Sequence, residues 1–104
     1  MSLSTHVLDA ASGRPAVGVA VRLERDGVVL AEAVTDADGR VRDLDLLTAG
    51  THRVTFDTGA WFAATGTVGF YPEVTVAFTV TDPGQHHHVP LLLSPFAYST
   101  YRGS

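Results

Sequence analysis

Apolar residues recur at every second position through much of the chain, and turn-forming residues cut that pattern into short lengths. Val17, Val19, Val21 and Leu23 alternate with Gly18, Ala20, Arg22 and Glu24, which predicts a strand with one apolar face and one mixed face. Asp26-Gly27 suits a two-residue hairpin, and Val28 to Thr35 reads as the partner strand. Asp38-Gly39 predicts a second turn of the same kind, ahead of a strand from Arg40 to Leu44, and a fifth strand runs from about Thr51 to Asp57. The clearest alternation sets Val74, Val76, Phe78 and Val80 against Thr75, Ala77, Thr79 and Thr81, and Asp82-Pro83-Gly84 closes it. Two more strands follow, about His86 to Leu93 and Tyr98 to Arg102, broken by Ser94-Pro95. With Ser4 to Asp9 as the first strand, the count is about eight.

Only the stretch from Gly59 to Ala64 lacks period two; it predicts about two turns of helix, with Asp57 or Thr58 as N-cap. Short strands at this spacing predict an all-β, two-sheet β-sandwich with one short helix. The length of 104 residues, with no internal repeat or linker, predicts one domain spanning residues 1–104. Trp61 and the other aromatics are expected in the core.

Composition narrows the chemistry. At 45% hydrophobic and 17% charged residues the chain is that of a folded domain, and no apolar run approaches the roughly 20 residues that cross a bilayer. No membrane partner is expected. A net charge of −4 and seven scattered Arg argue against nucleic acid, which calls for a contiguous basic patch. Cys is absent, which removes disulfides, thiolate catalysis and Cys-ligated metals; Lys is absent, which removes Schiff-base chemistry. No basic leader runs into an apolar segment, and Arg-Gly-Ser is not a peroxisomal address, so the cytoplasm is the expected compartment. Catalysis, if any, falls to His, Asp, Glu, Ser, Thr, Tyr, Arg or the chain ends.

Strand periodicity sorts the histidines of His86-His87-His88. His87 shares a face with Val89, Leu91 and Leu93, the core side, while His86 and His88 share the other face with Pro90. Two imidazoles on alternate residues also suit zinc, but no Asp or Glu lies nearby in sequence to complete a site, and no metal is expected. Taken locally, His6 is a lone strand histidine and Arg40 an ordinary arginine leaving a turn.

Four blocks change that reading: Leu3-Ser4-Thr5-His6-Val7-Leu8-Asp9 with Ser12-Gly13-Arg14-Pro15-Ala16; Thr35-Asp36-Ala37-Asp38-Gly39-Arg40; His86-His87-His88-Val89-Pro90-Leu91-Leu92; and the ending LLLSPFAYSTYRGS. In this order they resemble the transthyretin-like 5-hydroxyisourate hydrolases of urate breakdown, over nearly the whole chain. The resemblance implies a transthyretin-like (prealbumin-like) sandwich and metal-independent, cofactor-free hydrolysis of 5-hydroxyisourate to 2-oxo-4-hydroxy-4-carboxy-5-ureidoimidazoline. It further implies a homotetramer with sites in a channel between dimers. By motif position it assigns His88 as the candidate base, His6 as a histidine that binds substrate or shares the proton, and Arg40, not Arg42, as the anion-handling residue. Tyr101 would contact the substrate, and Ser104 with its carboxylate would close one side. Asp36 stands where relatives often have Asn. The competing expectation is a transthyretin-type carrier of small aromatic ligands, which shares the fold but has no use for His6, Arg40 and His88 together.

Overall fold

Leu3, Thr5 and Val7 on one strand, and Val89, Leu91 and Leu93 on another, point into a common interior, as their alternation predicts. The computed structural model describes residues 2–45 and 48–104. Among these are β1 (Ser2–Asp9), β2 (Arg14–Pro15), β3 (Ala20–Arg25), β4 (Val28–Val34), β5 (Arg40–Asp45), β6 (Gly50–Phe56), α1 (Thr58–Ala64), β7 (Val74–Val80), β8 (His87–Ser94) and β9 (Ala97–Thr100). One sheet runs β2-β1-β8-β9, with β5 also paired to β1; the other runs β4-β3-β6-β7. The core between them holds Leu3, Leu23, Phe56, Leu91 and Leu93, each fully buried and each worth about 1.5–3 kcal/mol in transfer free energy.

β1 and β8 pair in parallel, Ser4 opposite His88 and His6 opposite Pro90. The buried hydroxyl of Thr5 donates to the Val89 carbonyl at 2.6 Å, which fastens the two strands from the core side. On the other edge of β1, β5 runs antiparallel with Arg40 opposite His6. The helix begins at Asp57, whose Oδ1 accepts from the Ala60 N–H at 3.3 Å, one of the two caps expected.

Several expectations are corrected. Val17 is 52% exposed and β3 starts only at Ala20, because the backbone turns at Gly18 (φ +85°) and buries Ala16 in Val17's stead. Asp26 and Gly27 both have positive φ and form the predicted hairpin turn, but Asp38-Gly39 is not a turn of that kind. It joins β4 in one sheet to β5 in the other; Asp36 O accepts from the Gly39 N–H, and Asp36 Oδ1 accepts from the N–H groups of Asp38 and Arg40. The two-residue β2 adds a ninth strand, β8 starts at His87, and β9 runs from Ala97 to Thr100, so Tyr101 and Arg102 lie beyond it. The aromatics divide: Phe56 and Phe62 are core, whereas Phe70, Phe96, Tyr98 and Tyr101 are exposed and Trp61 is half-buried, its Nε1–H donating to Val17 O at 2.9 Å.

Candidate active site

The outward face of the β5-β1-β8 sheet gathers the residues singled out by sequence. Alternation puts Ser4 and His6 of β1 on the face opposite Leu3, Thr5 and Val7, and His88 and Pro90 of β8 on the face opposite His87 and Val89. His6 and His88 are thus two residues apart in register on adjacent strands, about 7 Å along the strand direction. Arg40 sits across from His6 on the other side. Its placement depends on Gly39, whose φ of +74° suits glycine and where a Cβ would lie 2.6 Å from Val7 O. The Val7 N–H donates to Gly39 O at 2.8 Å, so the turn is pinned to β1 beside His6.

The two arginines of β5 differ in their partners. Arg42 pairs with Asp38 at 2.9 Å and Asp36 at 3.5 Å, whereas among the described residues no salt bridge engages Arg40.

His88 is half-buried, and its Nδ1 lies 2.7 Å from Ser4 Oγ. The same hydroxyl lies 2.8 Å from His86 Nε2. Burial pushes the His88 pKa below the ordinary imidazole value; a hydrogen bond to the Ser4 backbone opposes this, and the charges of Arg40, His86 and His6 add to the lowering. The ring is therefore neutral at neutral pH, the state a proton acceptor needs. His87, its sequence neighbour, is 5% exposed on the core side, and its Nδ1–H donates to Gln85 O at 2.9 Å.

Past β9 the chain folds back on His88. The Gly103 N–H donates to His88 O at 2.8 Å, and a Cβ at Gly103 would lie 2.3 Å from His88 Cδ2. Tyr101 lines a cleft of about 330 Å³ with Val76, Phe78, His87, His88 and Arg102. Ser104 is exposed, one residue beyond the contact. A shallow groove of about 130 Å³ between Ser4 and Arg40 continues the histidine face. A larger hollow, about 450 Å³, is on the other sheet, walled by Arg22, Glu32, Asp57 and Glu73, and no histidine lines it. The structure thus brings His6, Arg40 and His88 onto one face and seats the segment carrying Tyr101 and Ser104 against His88. The sequence reading passed over two residues of this site, Ser4 and Gly103. Ser4 sits inside one of the motifs, but only the β1–β8 register reveals its partners.

A model of the HIUase/Transthyretin family matches residues 3–103. The chain belongs to that family. It is 49% identical to the 5-hydroxyisourate hydrolase of Caulobacter vibrioides, covering 98% of this chain and 97% of that protein. The solved structure of Klebsiella pneumoniae 5-hydroxyisourate hydrolase superposes with a TM-score of 0.94 at 43% identity, covering 99% of this chain and 98% of that one. Sea bream transthyretin in complex with thyroxine superposes with a TM-score of 0.84 at 37% identity, covering 97% and 93%. The family fold thus carries both a hydrolase and a hormone-bound protein, and the side chains on the β1–β8 face have to distinguish them.

Proposed function

We propose that this chain hydrolyses 5-hydroxyisourate to 2-oxo-4-hydroxy-4-carboxy-5-ureidoimidazoline. The observation that carries the reading is the convergence of His6, Arg40 and a neutral, half-buried His88 on one sheet face, in a chain whose full-length relatives are named for that reaction. Water approaches His88, which takes one proton as the oxygen adds to a ring carbonyl carbon; such base assistance is worth about 10²–10⁴-fold. Arg40, which no salt bridge engages among the described residues, meets the negative charge growing on the carbonyl oxygen. The carbon–nitrogen bond then breaks, His88 returns its proton to the departing nitrogen, and the ring opens to a carboxylic acid that releases the water's second proton to solvent as it ionises. His6 binds the heterocycle or shares the proton, and Tyr101 with Ser104 forms one wall. No cofactor enters this scheme, and added chelator should leave the rate unchanged.

A carrier reading draws on the thyroxine-bound relative. The ionisable set favours the enzyme, since a carrier of a small aromatic ligand does not require a neutral imidazole on one face with His6 and Arg40. The decisive experiment adds freshly generated 5-hydroxyisourate and follows its ultraviolet band; decay at the spontaneous rate at micromolar protein would refute the hydrolase.

The single domain is proposed to assemble as a homotetramer in the cytoplasm. The candidate face is open in one subunit, the outer edge of β9 is unpaired, and Phe96, Tyr98 and Tyr101 are exposed around it. Pairing two such faces makes a cleft that excludes water. Full activity from a species that sizes as a monomer would overturn the shared-cleft argument, and a fluorescent fusion tests the compartment.

A further inference from the structure

We propose that Ser4 is a positioning residue for His88, with its hydroxyl accepting a hydrogen bond from His88 Nδ1–H while donating its own proton to His86 Nε2, so that His88 keeps Nε2 as its basic nitrogen. The inference deepens the hydrolase reading, and its kinetic arm rests on that reading.

The argument is one of proton counting. Ser4 Oγ lies 2.7 Å from His88 Nδ1 and 2.8 Å from His86 Nε2, both within ordinary hydrogen-bond length. A hydroxyl has one proton and two lone pairs, so it cannot donate to both nitrogens. One imidazole must be the donor. A neutral imidazole has a single N–H, so the choice made at Nδ1 fixes the state of Nε2. If Ser4 donated to His88 Nδ1, the His88 proton would sit on Nε2 and that nitrogen could not accept one from water. If His86 takes the serine proton, His88 must donate from Nδ1, and Nε2 is left with its lone pair.

The arrangement follows from register. Ser4 and His88 are Cα partners in the parallel β1–β8 pair, and His86 stands two residues before His88, just ahead of the strand. Alternation carries both imidazoles to the serine's face of the sheet, and His87 between them turns to the core. His86 is exposed and His88 half-buried, so the string leads from solvent to the base. It has the logic of a nucleophile's base oriented by a third group, here a hydroxyl backed by a second imidazole instead of a carboxylate. No proton needs to leave the string during turnover: when His88 becomes imidazolium, Nδ1–H still donates to Ser4 and the Ser4 proton still lies on His86. The charged or titratable groups acting on His88 are Arg40 from β5, His6 from β1 and His86 just ahead of β8, with Arg102 lining the adjoining cleft. A pH profile therefore reports on all of them, and the tautomer is the cleaner readout.

The test is long-range ¹H–¹⁵N NMR of the full chain above pH 7.5, with steady-state kinetics on 5-hydroxyisourate. Wild-type His88 is expected as the Nδ1–H tautomer. Ser4→Ala should move it toward Nε2–H and lower kcat on the order of 10- to 100-fold, the range seen when a group orienting a working imidazole is lost, with KM changed far less. Ser4→Thr restores the hydroxyl and should restore both readouts, while His86→Ala should shift the tautomer in the same direction as Ser4→Ala. A wild-type His88 carrying its proton on Nε2 overturns the proposal, as does a Ser4→Ala variant with unchanged tautomer and kcat. Should Ser4→Ala fail to fold, the wild-type tautomer and the His86→Ala shift decide alone. A wild-type protein inert toward 5-hydroxyisourate, yet showing the Nδ1–H tautomer and its dependence on Ser4 and His86, would sink the hydrolase reading and leave the positioning role standing.

Discussion

Gly103→Ala adds one methyl group at the point where the end of the chain rests on His88. The added carbon would lie 2.3 Å from His88 Cδ2, 3.0 Å from Cγ and 3.2 Å from Cβ. Non-bonded carbons settle at about 3.5–4.0 Å, so relief takes a displacement of more than about 1 Å. Two relaxations are open. The ring can swing away, which stretches the 2.7 Å contact between Nδ1 and Ser4 Oγ toward the roughly 3.5 Å at which it ceases to be a hydrogen bond. Alternatively the tail can lift, which breaks the 2.8 Å bond from Gly103 N–H to His88 O and removes about 0.5–1.5 kcal/mol. Either route leaves the core untouched, so the melting temperature should fall by no more than about 4–8 °C. Both routes misplace either the base or the wall beside it by about 1 Å, an error that costs on the order of 10²-fold in rate. Initial rates across a substrate series give kcat and KM, calorimetry gives the melting temperature, and the His88 Cδ2–H NMR signal reports whether the ring has moved. A Gly103→Ala protein with wild-type kcat/KM and an unshifted His88 signal would refute the claim that the tail and the imidazole are in working contact.

Further outcomes are expected. His87→Ala should act as a packing variant, losing about 1–3 kcal/mol of stability because a buried ring and its bond to Gln85 O are removed. His88→Ala should instead lose about 10²–10⁴-fold in rate with little change in melting temperature; the reverse result would show a register off by one. Removing Tyr101 to Ser104 should leave the sandwich folded, since Tyr101 is 60% exposed and the segment lies beyond β9, yet turnover should drop by orders of magnitude. Acid should weaken both function and fold. Burial lowers the pKa of His88 and, foremost among its causes, that of His52, so each binds a proton less readily folded than unfolded. Their contribution to stability is thus fully present above the unfolded value of about 6.5 and is lost as pH falls through it toward the folded values. Turnover should hold down to about pH 6.5 and fail only as His88 titrates below it. His52 Nε2 is buried with no partner among the described residues and the ring stacks on Phe78, so His52→Phe should flatten the acid decline in melting temperature between pH 7.5 and 5; an unchanged slope would clear His52 of the effect.

Where local chemistry decided the structure, the sequence was legible. The opposite orientations of His87 and His88 followed from period two alone, because Val89, Leu91 and Leu93 fix which side of β8 is buried. The Asp57 cap and the Asp26-Gly27 hairpin were legible for the same reason, since side chain and backbone there act over a few residues. Val17 misled because it keeps the alternation of Val19 and Val21 while the chain bends at Gly18, a change of direction that periodicity does not register. The Asp38-Gly39 turn misled because a compact turn says nothing about whether its flanking strands share a sheet. His6, Arg40 and His88 were selected by family likeness, and the fold then showed them on one face. Ser4 and Gly103 escaped notice because a serine in a strand and a glycine near a terminus have no signal of their own. Their meaning arises only from partners far away along the chain.

That distance has a consequence for how the protein acquires its site. Ser4 and His88 are 84 residues apart in sequence, whereas Gly103 reaches back to His88 across only 15. Hairpins such as β3–β4 can form within microseconds of their own synthesis, but a parallel pair between β1 and β8 must wait until nearly everything between them has been made. Long-range pairing of this kind belongs to the slow end of folding, milliseconds to seconds, and tends to follow local structure. On a ribosome, β1 therefore emerges with its histidine exposed and idle, and the imidazoles meet only once β8 arrives. The sheet face that carries His6, Arg40 and His88 is thus completed only after β8 has been made.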